Sequence, residues 1–386
     1  MSKKEKKKNN HFVPRSYLVR FRSASDKQVG LYNLKSGLIV ETAPIKSQCS
    51  RDYFYTKNPI FENQFAEIEG LHKQLLKKIV DEAYVPQLET PDHHTLLALI
   101  MFQAGRTETT AAHQDHLANQ FGKAIMRKSF ERDGNKEMLE YLDRVNISMT
   151  DGVIDAIGQH LAMYLLIGDL DVTLFENHSK EDFLTSDHPV ALCNNLPAQA
   201  SPFGANVGFA SRGLLILLPL SPRYLFLLSD PEVYKAPKDG RQIATITKVG
   251  DAVELNLAQC FNAHENLYFA SAAKVQETLA TFNKRRQALR PGPASLTEIP
   301  AFTPSGRTGV MLTMPAPNRR MVLPSAVEIR HAARTGKYRL GDAFVRDPIR
   351  TAFVNAELNR LQKLREEATK AAKAQEQASA SAENAV

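Results

Sequence analysis

Two different periodicities of apolar residues follow each other along the chain, and they limit the folds that it can adopt. From residue 60 to about 79, apolar residues recur every three or four positions, which is typical of an amphipathic helix. Between about 182 and 230, short apolar runs such as GLLILLPL and YLFLLS indicate buried strands joined by a tight turn. The sequence therefore predicts an α+β fold, in which a helical bundle packs against a mainly antiparallel β-sheet.

Local signals predict the ends of several elements. Thr90 is a candidate N-cap with Pro91 at the first helical position, and the helix that follows is expected to run to about residue 130. Asp251 and Glu254 form a pattern like a capping box, which predicts the start of another helix. At the front of the chain, strand-like runs occur at 29–42, predicted as a hairpin, and at 52–56.

These signals divide the chain into four segments. The predicted segments are a disordered basic leader at 1–9, a single α+β domain at 10–285, a Pro/Arg-rich linker at 286–347, and a C-terminal helix with a disordered tail at 348–386. Within the domain, the sequence predicts helices at about 60–170, strands at about 182–230 and helix at about 251–285.

The cysteine content and the length of the apolar runs indicate the compartment. Three cysteines occur, with no C-x-x-C spacing, so the sequence predicts neither a disulfide framework nor a thiolate zinc site. The basic start leads into polar residues instead of an apolar signal segment, and the apolar runs are shorter than a membrane span. We therefore expect a cytoplasmic protein with no membrane contact.

Much of the positive charge lies at the start of the chain. The formal net charge is +7, and the leader contributes five lysines against Glu5, a surplus of four. A polyanionic partner such as nucleic acid suits this charge. Two interpretations stay open: the leader is a solubilising tail, or it is an arm that binds phosphate groups.

A guanidinium is predicted on the buried face of the second helix. Gln103 and Arg106 continue the apolar stripe of Leu99 at the i+4 and i+7 positions, so both side chains are expected to point toward the core. A buried charge needs a partner, because an unpaired charge in apolar surroundings is very costly. Arg106 is therefore either a structural residue paired with a carboxylate or a ligand for an anion, whose oxygens its planar fork fits.

Two further polar residues have apolar neighbours. His160 borders the apolar stripe of the third helix, where a satisfied core histidine is the usual case and a cleft residue is the alternative. Asp187 ends a strand in TSDHPVAL, so it is either a base or ligand, or a turn-forming residue. A second Ser-Asp before proline, at Asp230, favours the turn. No metal-ligand spacing, phosphate-binding loop or nucleophile motif was found in the sequence.

The segment NNHFVPRSYLVRF combines a histidine with a rigid elbow. Pro14 forces the residue before it into an extended conformation, and Tyr17 and Phe21 recur at helical spacing, which predicts a short helix docked on the body. His11 is thereby held beside the elbow. A general base or phosphate ligand needs such a fixed position, and a structural hydrogen bond needs it equally.

Four short motifs follow one another in order along the chain: NHFVPRSYLVRF at 10–21, QAGRT at 103–107, FLTSDHPV at 183–190 and LPLSP at 218–222. Together they resemble a bacterial family, domain of unknown function 4238, over about residues 10–275. The resemblance implies no settled activity, but it emphasises His11, Pro14, Arg106 and Asp187 as positions that match the family's motifs. His188 stands where the family more often has asparagine, so no catalytic role is assigned to it.

These residues lead to the hypothesis of a hydrolase that acts on a phosphodiester or nucleotide-like anion. His11 would be the general acid or base, Arg106 would stabilise anionic charge, and Asp187 would orient or ligate. The predicted site residues are His11, Arg106, Asp187 and His160 for catalysis and Arg15 and Gln103 for binding.

Two alternatives belong to other functional classes. In the first, the polar cluster is structural and the chain is a non-catalytic ligand-binding or interaction protein. In the second, the lysine leader makes the chain a non-specific nucleic-acid binder. The sequence defines no cofactor and no oligomeric state.

Overall fold

A computed structural model describes most of the chain. The described residues are 9–23, 25–55, 59–149, 152–196, 207–236, 238–286, 297–302, 308–313, 321–335 and 345–383. Residues 1–8 of the predicted leader lie outside this set, whereas Asn9 already pairs with Asp52 in a short antiparallel ladder.

Helices and strands occur in separate blocks along the chain. The helices are α1 Arg15–Leu18, α2 Pro59–Glu82, α3 Pro91–Gly105, α4 Glu108–Arg132, α5 Lys136–Leu142, α6 Gly152–Ala162, α7 Val249–Asn262, α8 Gln276–Arg285, α9 His331–Thr335 and α10 Pro348–Glu383. The strands are β1 Asn9–His11, β2 Gln28–Asn33, β3 Ile39–Pro44, β4 Ser50–Asp52, β5 Asp171–Asn177, β6 Thr185–Ser186, β7 Ala191–Asn194, β8 Leu214–Pro219, β9 Tyr224–Ser229, β10 Tyr234–Lys235, β11 Ile243–Ile246, β12 Asn266–Phe269, β13 Thr297–Phe302, β14 Thr308–Thr313 and β15 Glu328–Ile329. Within the described ranges, none of the helices has both the length and the apolar content that a membrane span needs.

Two sheets of four and five strands carry the β part of the domain. The five-stranded sheet has the order β11-β5-β9-β8-β7, and only its β11–β5 pair is parallel. The second sheet has the order β3-β2-β12-β6 and is antiparallel throughout. The predicted α+β fold is therefore confirmed, although the N-terminal hairpin joins β12 and β6 and not the sheet of β8 and β9.

Helix α3 lies at the centre of the main core. Leu96 and Ile100 of α3 are completely buried in one cluster with Ile216 of β8 and Ile79 of α2. Complete burial of such a side chain contributes about 1.5–3 kcal/mol. The apolar stripes that the sequence shows on the second helix and on the strands thus belong to one core, which fixes the position of the residues at the end of α3.

The single helix predicted from residue 91 to about 130 is in fact two helices. Arg106 ends α3 with a φ of −102° and a ψ of 7°, and Thr107 begins α4 as an N-cap whose hydroxyl accepts the Thr110 N–H. Both flanking segments favour helix by composition, so periodicity alone does not show the break. The break turns the chain at the buried guanidinium of Arg106.

Three other predicted elements differ from the structure. The strand expected at 52–56 is limited to β4, and the strand run predicted from 182 forms only the short strands β6 and β7. The capping box is absent from α7, since Lys248 precedes the helix without a side-chain cap. Asp251 instead accepts the Ser325 N–H at 2.8 Å, and Glu254 pairs with Arg285 at 2.8 Å.

Parts of the segment predicted as a linker pack onto the domain. Val327 and Ala333 are buried in the core on the second face of the five-stranded sheet. Arg346 is buried as well, and its Nε lies 2.6 Å from the Asp169 carboxylate. The C-terminal segment, predicted to end in a disordered tail, is helical as far as Glu383.

Candidate functional site

The Arg106 side chain is almost completely buried at the end of α3, with 1% of its surface exposed. Its Nε donates to Tyr55 Oη at 2.8 Å, and its Nη2 donates to His11 O and Glu69 Oε1, both at 2.6 Å. The guanidinium also lies 4.6 Å from the centre of the Phe102 ring. The structural interpretation of Arg106 requires a carboxylate partner, and Glu69 is that partner.

A small cavity lies next to Arg106, between α2, α3 and the segment that follows Pro14. Its volume is about 20 Å³, which holds about one water molecule and is too small for a phosphate group. His72, Glu69 and Gln103 line it on the polar side. Among the described residues, the cavity beside the guanidinium thus leaves no room for a nucleotide-like substrate.

His72 is a polar member of this cavity that the sequence did not indicate, because it lies among charged and apolar residues of α2. It is 9% exposed, and its ring packs edge-to-face on Phe102 with 5.8 Å between the ring centres. Burial, together with the nearby Arg106 charge, lowers the pKa of His72 from 6.5 to about 4. The imidazole is therefore neutral at pH 7.

We expect His72 to make the fold sensitive to acid. Its pKa is lower in the folded state than in the unfolded state, so between pH 6.5 and about pH 4 the unfolded chain binds more protons. Lowering the pH through this window should cost about 2 kcal/mol of the free energy of unfolding, a cost that His72→Phe removes. Urea unfolding at pH 7 and pH 4.5 measures it for both proteins. The exposed His94→Phe variant is the control, and an unchanged acid sensitivity in His72→Phe would contradict the assignment.

His11 contributes its main chain to the network more than its ring. Its carbonyl oxygen accepts both the Arg106 bond and a bond from Tyr55 Oη at 2.8 Å. The Nε2 atom of its imidazole lies 3.2 Å from Lys46 O. The predicted fixed position of His11 is therefore present, and it results from hydrogen bonds of the backbone to buried side chains.

The elbow after His11 is anchored in the predicted way. Gln103 donates its Nε2 to Phe12 O at 3.0 Å, which ties the elbow to α3. Tyr17 is buried in α1 and donates to Pro219 O, so the short helix docks on β8. Arg15 is exposed at the start of α1 and points away from this network, toward a groove described below.

Asp187 binds a distant turn of the backbone. Its Oδ1 accepts the His264 N–H at 2.8 Å, and its Oδ2 accepts the Glu265 and Asn266 N–H groups at 2.7 and 2.9 Å. Burial raises the pKa of Asp187 above its ordinary value, although the three N–H donors act in the opposite direction. The carboxylate therefore connects the end of α7 to β12, and both of its oxygens are engaged.

His160 lies apart from these residues, on the face of α6 that crosses α3. Its Nδ1 is 2.8 Å from Ala156 O, and its ring packs on Phe209. Burial lowers the pKa of His160. A Cβ at Gly105 would lie 3.0 Å from Ile157 Cα and 3.1 Å from the His160 Cβ, so any larger residue would have to displace α6 slightly.

The structure thus brings together some of the predicted site residues and separates others. Arg106, Gln103 and the backbone of His11 form one hydrogen-bonded network, whereas the Asp187 carboxylate and the His160 ring have partners elsewhere. One additional link joins these regions: Thr107 Oγ1 lies 2.6 Å from Nδ1 of His188. Among the described residues, no group of three His, Cys, Asp or Glu side chains is placed to hold a metal ion.

A larger groove of about 890 Å³ opens on the surface between the N-terminal segment and α2. Seven cationic and two acidic side chains line it, a surplus of five positive charges. The cationic residues are Arg15, Arg20, Arg22, Lys27, Lys46, Lys73 and Lys77, and the acidic residues are Asp26 and Asp81. We call this surface the basic groove. Two of its cations are paired locally, as Arg22–Asp26 at 2.8 Å and Lys77–Asp81 at 2.6 Å, and the other five make no ion pair with a described residue.

Arg20 is the least exposed of these cations. Its Nε is buried and has no hydrogen-bond partner within the described part of the chain. Burial lowers the pKa of Arg20, and the Asp81 charge offsets this only in part. A partly desolvated cation gains more from an anionic ligand than a fully hydrated one does.

The sequence did not predict the basic groove. Its cationic residues belong to α1, to the turns beside β2 and β3, and to α2, and they follow no common spacing. The only signal in the sequence was the positive net charge, which draws attention to the leader lysines. Arg15 is the one predicted binding residue that lines the groove.

Comparison with known proteins gives one match. The model of a family described as "Protein of unknown function (DUF4238)" matches residues 9–273. No curated protein and no solved structure matches the chain. The matched range covers the N-terminal elements, the helices α2 to α7 and both sheets, and it therefore contains the buried network and the basic groove.

Proposed function

We propose that this chain, which belongs to the DUF4238 family, is a non-catalytic nucleic-acid-binding protein that contacts phosphate groups with its basic groove. The observation that carries the proposal is the surplus of five positive charges in one groove of about 890 Å³. Lysine and arginine side chains neutralise backbone phosphates, and the release of condensed counterions supplies most of the affinity. Arg20 adds a site at which an anion relieves the cost of partial burial.

The composition of the groove favours backbone contacts over contacts to bases. Among the described residues that line it, there is no Phe or Tyr side chain on which a base could stack. The binding should therefore depend weakly on nucleotide sequence and strongly on salt. The size of the groove also suits a polymer better than a single nucleotide, because its cations come from several elements.

The buried network supports a structural role beneath the groove. Arg106 and Asp187 are each engaged by three hydrogen bonds, and the cavity beside Arg106 has room for about one water molecule. Such a network holds the elbow at Pro14, and with it Arg15 and Arg20, against α3. The hydrolase hypothesis with His11, Arg106, Asp187 and His160 stays a prediction that single substitutions can test.

The double charge reversal Lys46→Glu/Lys73→Glu should weaken binding to duplex DNA. The two lysines are exposed, come from the segment after β3 and from α2, and make no ion pair with a described residue. Removing two phosphate contacts should lower the slope of log affinity against log salt by about 2, and the affinity itself by at least about tenfold. Fluorescence anisotropy of a labelled duplex in a salt series measures both quantities.

The matched control is Lys180→Glu/Lys235→Glu, which changes the net charge equally at two exposed lysines outside the groove. A deletion of residues 2–8 tests the leader separately. The proposal requires that the groove variant loses more affinity than the control. Equal losses in both variants, or a loss confined to the leader deletion, would overturn it.

A further inference from the structure

The C-terminal helix α10 is long, and its first turns contact the domain. It has 36 residues, which corresponds to a length of about 54 Å. Its first turns are attached: Val354 is 1% exposed, and Arg350 donates its Nη1 to Leu165 O at 3.1 Å. None of the described side chains of this helix lines the basic groove.

The first half of α10 presents large apolar side chains to solvent. Ile349 is 84% exposed and Phe353 is 61% exposed, while Leu361 and Leu364 are 41% and 48% exposed. At about 100° per residue, Ile349, Phe353 and Leu364 lie within about 60° of one another around the helix, and Leu361 extends this stripe. Arg360 lies on the same face between Phe353 and Leu364, so the stripe combines exposed apolar residues with a charged one. Exposed apolar residues with charges beside them on a long, otherwise polar helix are the pattern of a surface that packs on another helix.

The charge sequence of α10 indicates the partner. Residues 348–365 carry four basic residues and one acidic residue, a net charge of +3. Residues 366–383 carry four acidic and two basic residues, a net charge of −2. Two copies of this helix therefore attract each other in antiparallel orientation, where each basic half faces an acidic half, and repel in parallel orientation.

The residue sizes agree with the same orientation. If two copies cross at the midpoint between residues 365 and 366, position 349 faces position 382 and position 353 faces position 378. The sequence has alanine at both 382 and 378, so Ile349 and Phe353 of one copy meet alanine in the other, whereas Leu364 meets Glu367. Small residues opposite large ones let two helix axes approach closely.

We propose that α10 is a self-association surface, on which a second copy of this chain binds through antiparallel pairing of the two C-terminal helices. The pairing buries Ile349, Phe353 and Leu364 of each copy. It joins two domains at opposite ends of a helical pair, and it does not depend on what the basic groove binds.

Sedimentation velocity of the full chain at micromolar concentration tests the proposal. The wild type should have twice the mass of one chain, and Phe353→Glu/Leu364→Glu should raise the dissociation constant at least about tenfold. The control Leu38→Glu/Leu88→Glu changes two leucines of similar exposure outside α10. A monomeric wild type, or equal effects of the two variants, would overturn self-association through this helix.

Charge exchange tests the charge pairing of the two helices without any apolar substitution. Arg360→Glu/Lys363→Glu makes both halves of α10 negative, and Glu366→Lys/Glu367→Lys makes both halves positive, so each variant alone should be monomeric. An equimolar mixture should form dimers again, because each half of one variant then faces the opposite charge on the other variant. If the mixture stays monomeric, charge pairing between the two C-terminal helices is wrong.

Discussion

Replacing Arg106 with methionine should lower the free energy of unfolding by about 3–4 kcal/mol, although methionine still fills part of the site. The substitution removes the donors to Tyr55 Oη, His11 O and Glu69 Oε1. Oxygen atoms that lose a donor in buried surroundings keep their desolvation cost, and bonds to charged groups contribute more than neutral ones. Urea unfolding followed by circular dichroism measures the difference.

A matched ion pair on the surface provides the control. Arg223 donates its Nε and Nη2 to Glu176, but its side chain is 55% exposed, so Arg223→Met should cost less than about 1 kcal/mol. Arg106→Lys keeps the charge at the buried position, yet an ammonium cannot serve the same three acceptors, so a large part of the loss should remain. If Arg106→Met is as stable as Arg223→Met, the structural role of the guanidinium is wrong.

The burial of Arg106 follows from the sequence, but its partners do not. The i+4 and i+7 relation to Leu99 places Gln103 and Arg106 on the inner face of the helix, and both are buried. The acceptors on Glu69 and His11 lie 37 and 95 residues away along the chain. Periodicity describes one helix at a time, so it shows that a partner is required without showing which one.

The position of His11 shows a second limit of sequence reasoning. The Val13-Pro14 elbow predicts a fixed segment, and the hydrogen bonds to its carbonyl groups confirm that it is fixed. A histidine draws attention to its imidazole because the ring carries acid–base chemistry. Any residue presents a carbonyl, however, so residue type alone cannot identify a position at which the main chain makes the important contact.

The basic groove depends on the fold as a whole. Hydrophobic patterns predict which elements form and which faces are buried, and here they predict α1, α2 and the N-terminal hairpin within a few residues. The relative placement of these elements is fixed by tertiary packing. A surface assembled from lysines and arginines of several elements becomes visible only after that packing is known.

Replacing Asp187 with alanine should lower the free energy of unfolding by about 3 kcal/mol. Three backbone N–H groups, at His264, Glu265 and Asn266, lose their acceptor together. They belong to the turn that orders the start of β12, and β12 pairs with both β2 and β6. Loss of the carboxylate should therefore loosen the four-stranded sheet, which hydrogen exchange of the β12 amides would show as lower protection.

Asp239 is the control, because it is an exposed aspartate whose carboxylate also accepts backbone N–H groups. Asp239 accepts the Arg241 and Ile243 N–H groups at 2.8 and 2.9 Å in an exposed turn, so Asp239→Ala should cost about 1 kcal/mol or less. Asp187→Asn should lie between the two, because one carboxylate oxygen is replaced by an amide nitrogen that cannot accept. If Asp187→Ala unfolds at the same urea concentration as Asp239→Ala and keeps the β12 amides protected, the carboxylate is not required for the fold, and the hypothesis of a catalytic Asp187 gains support.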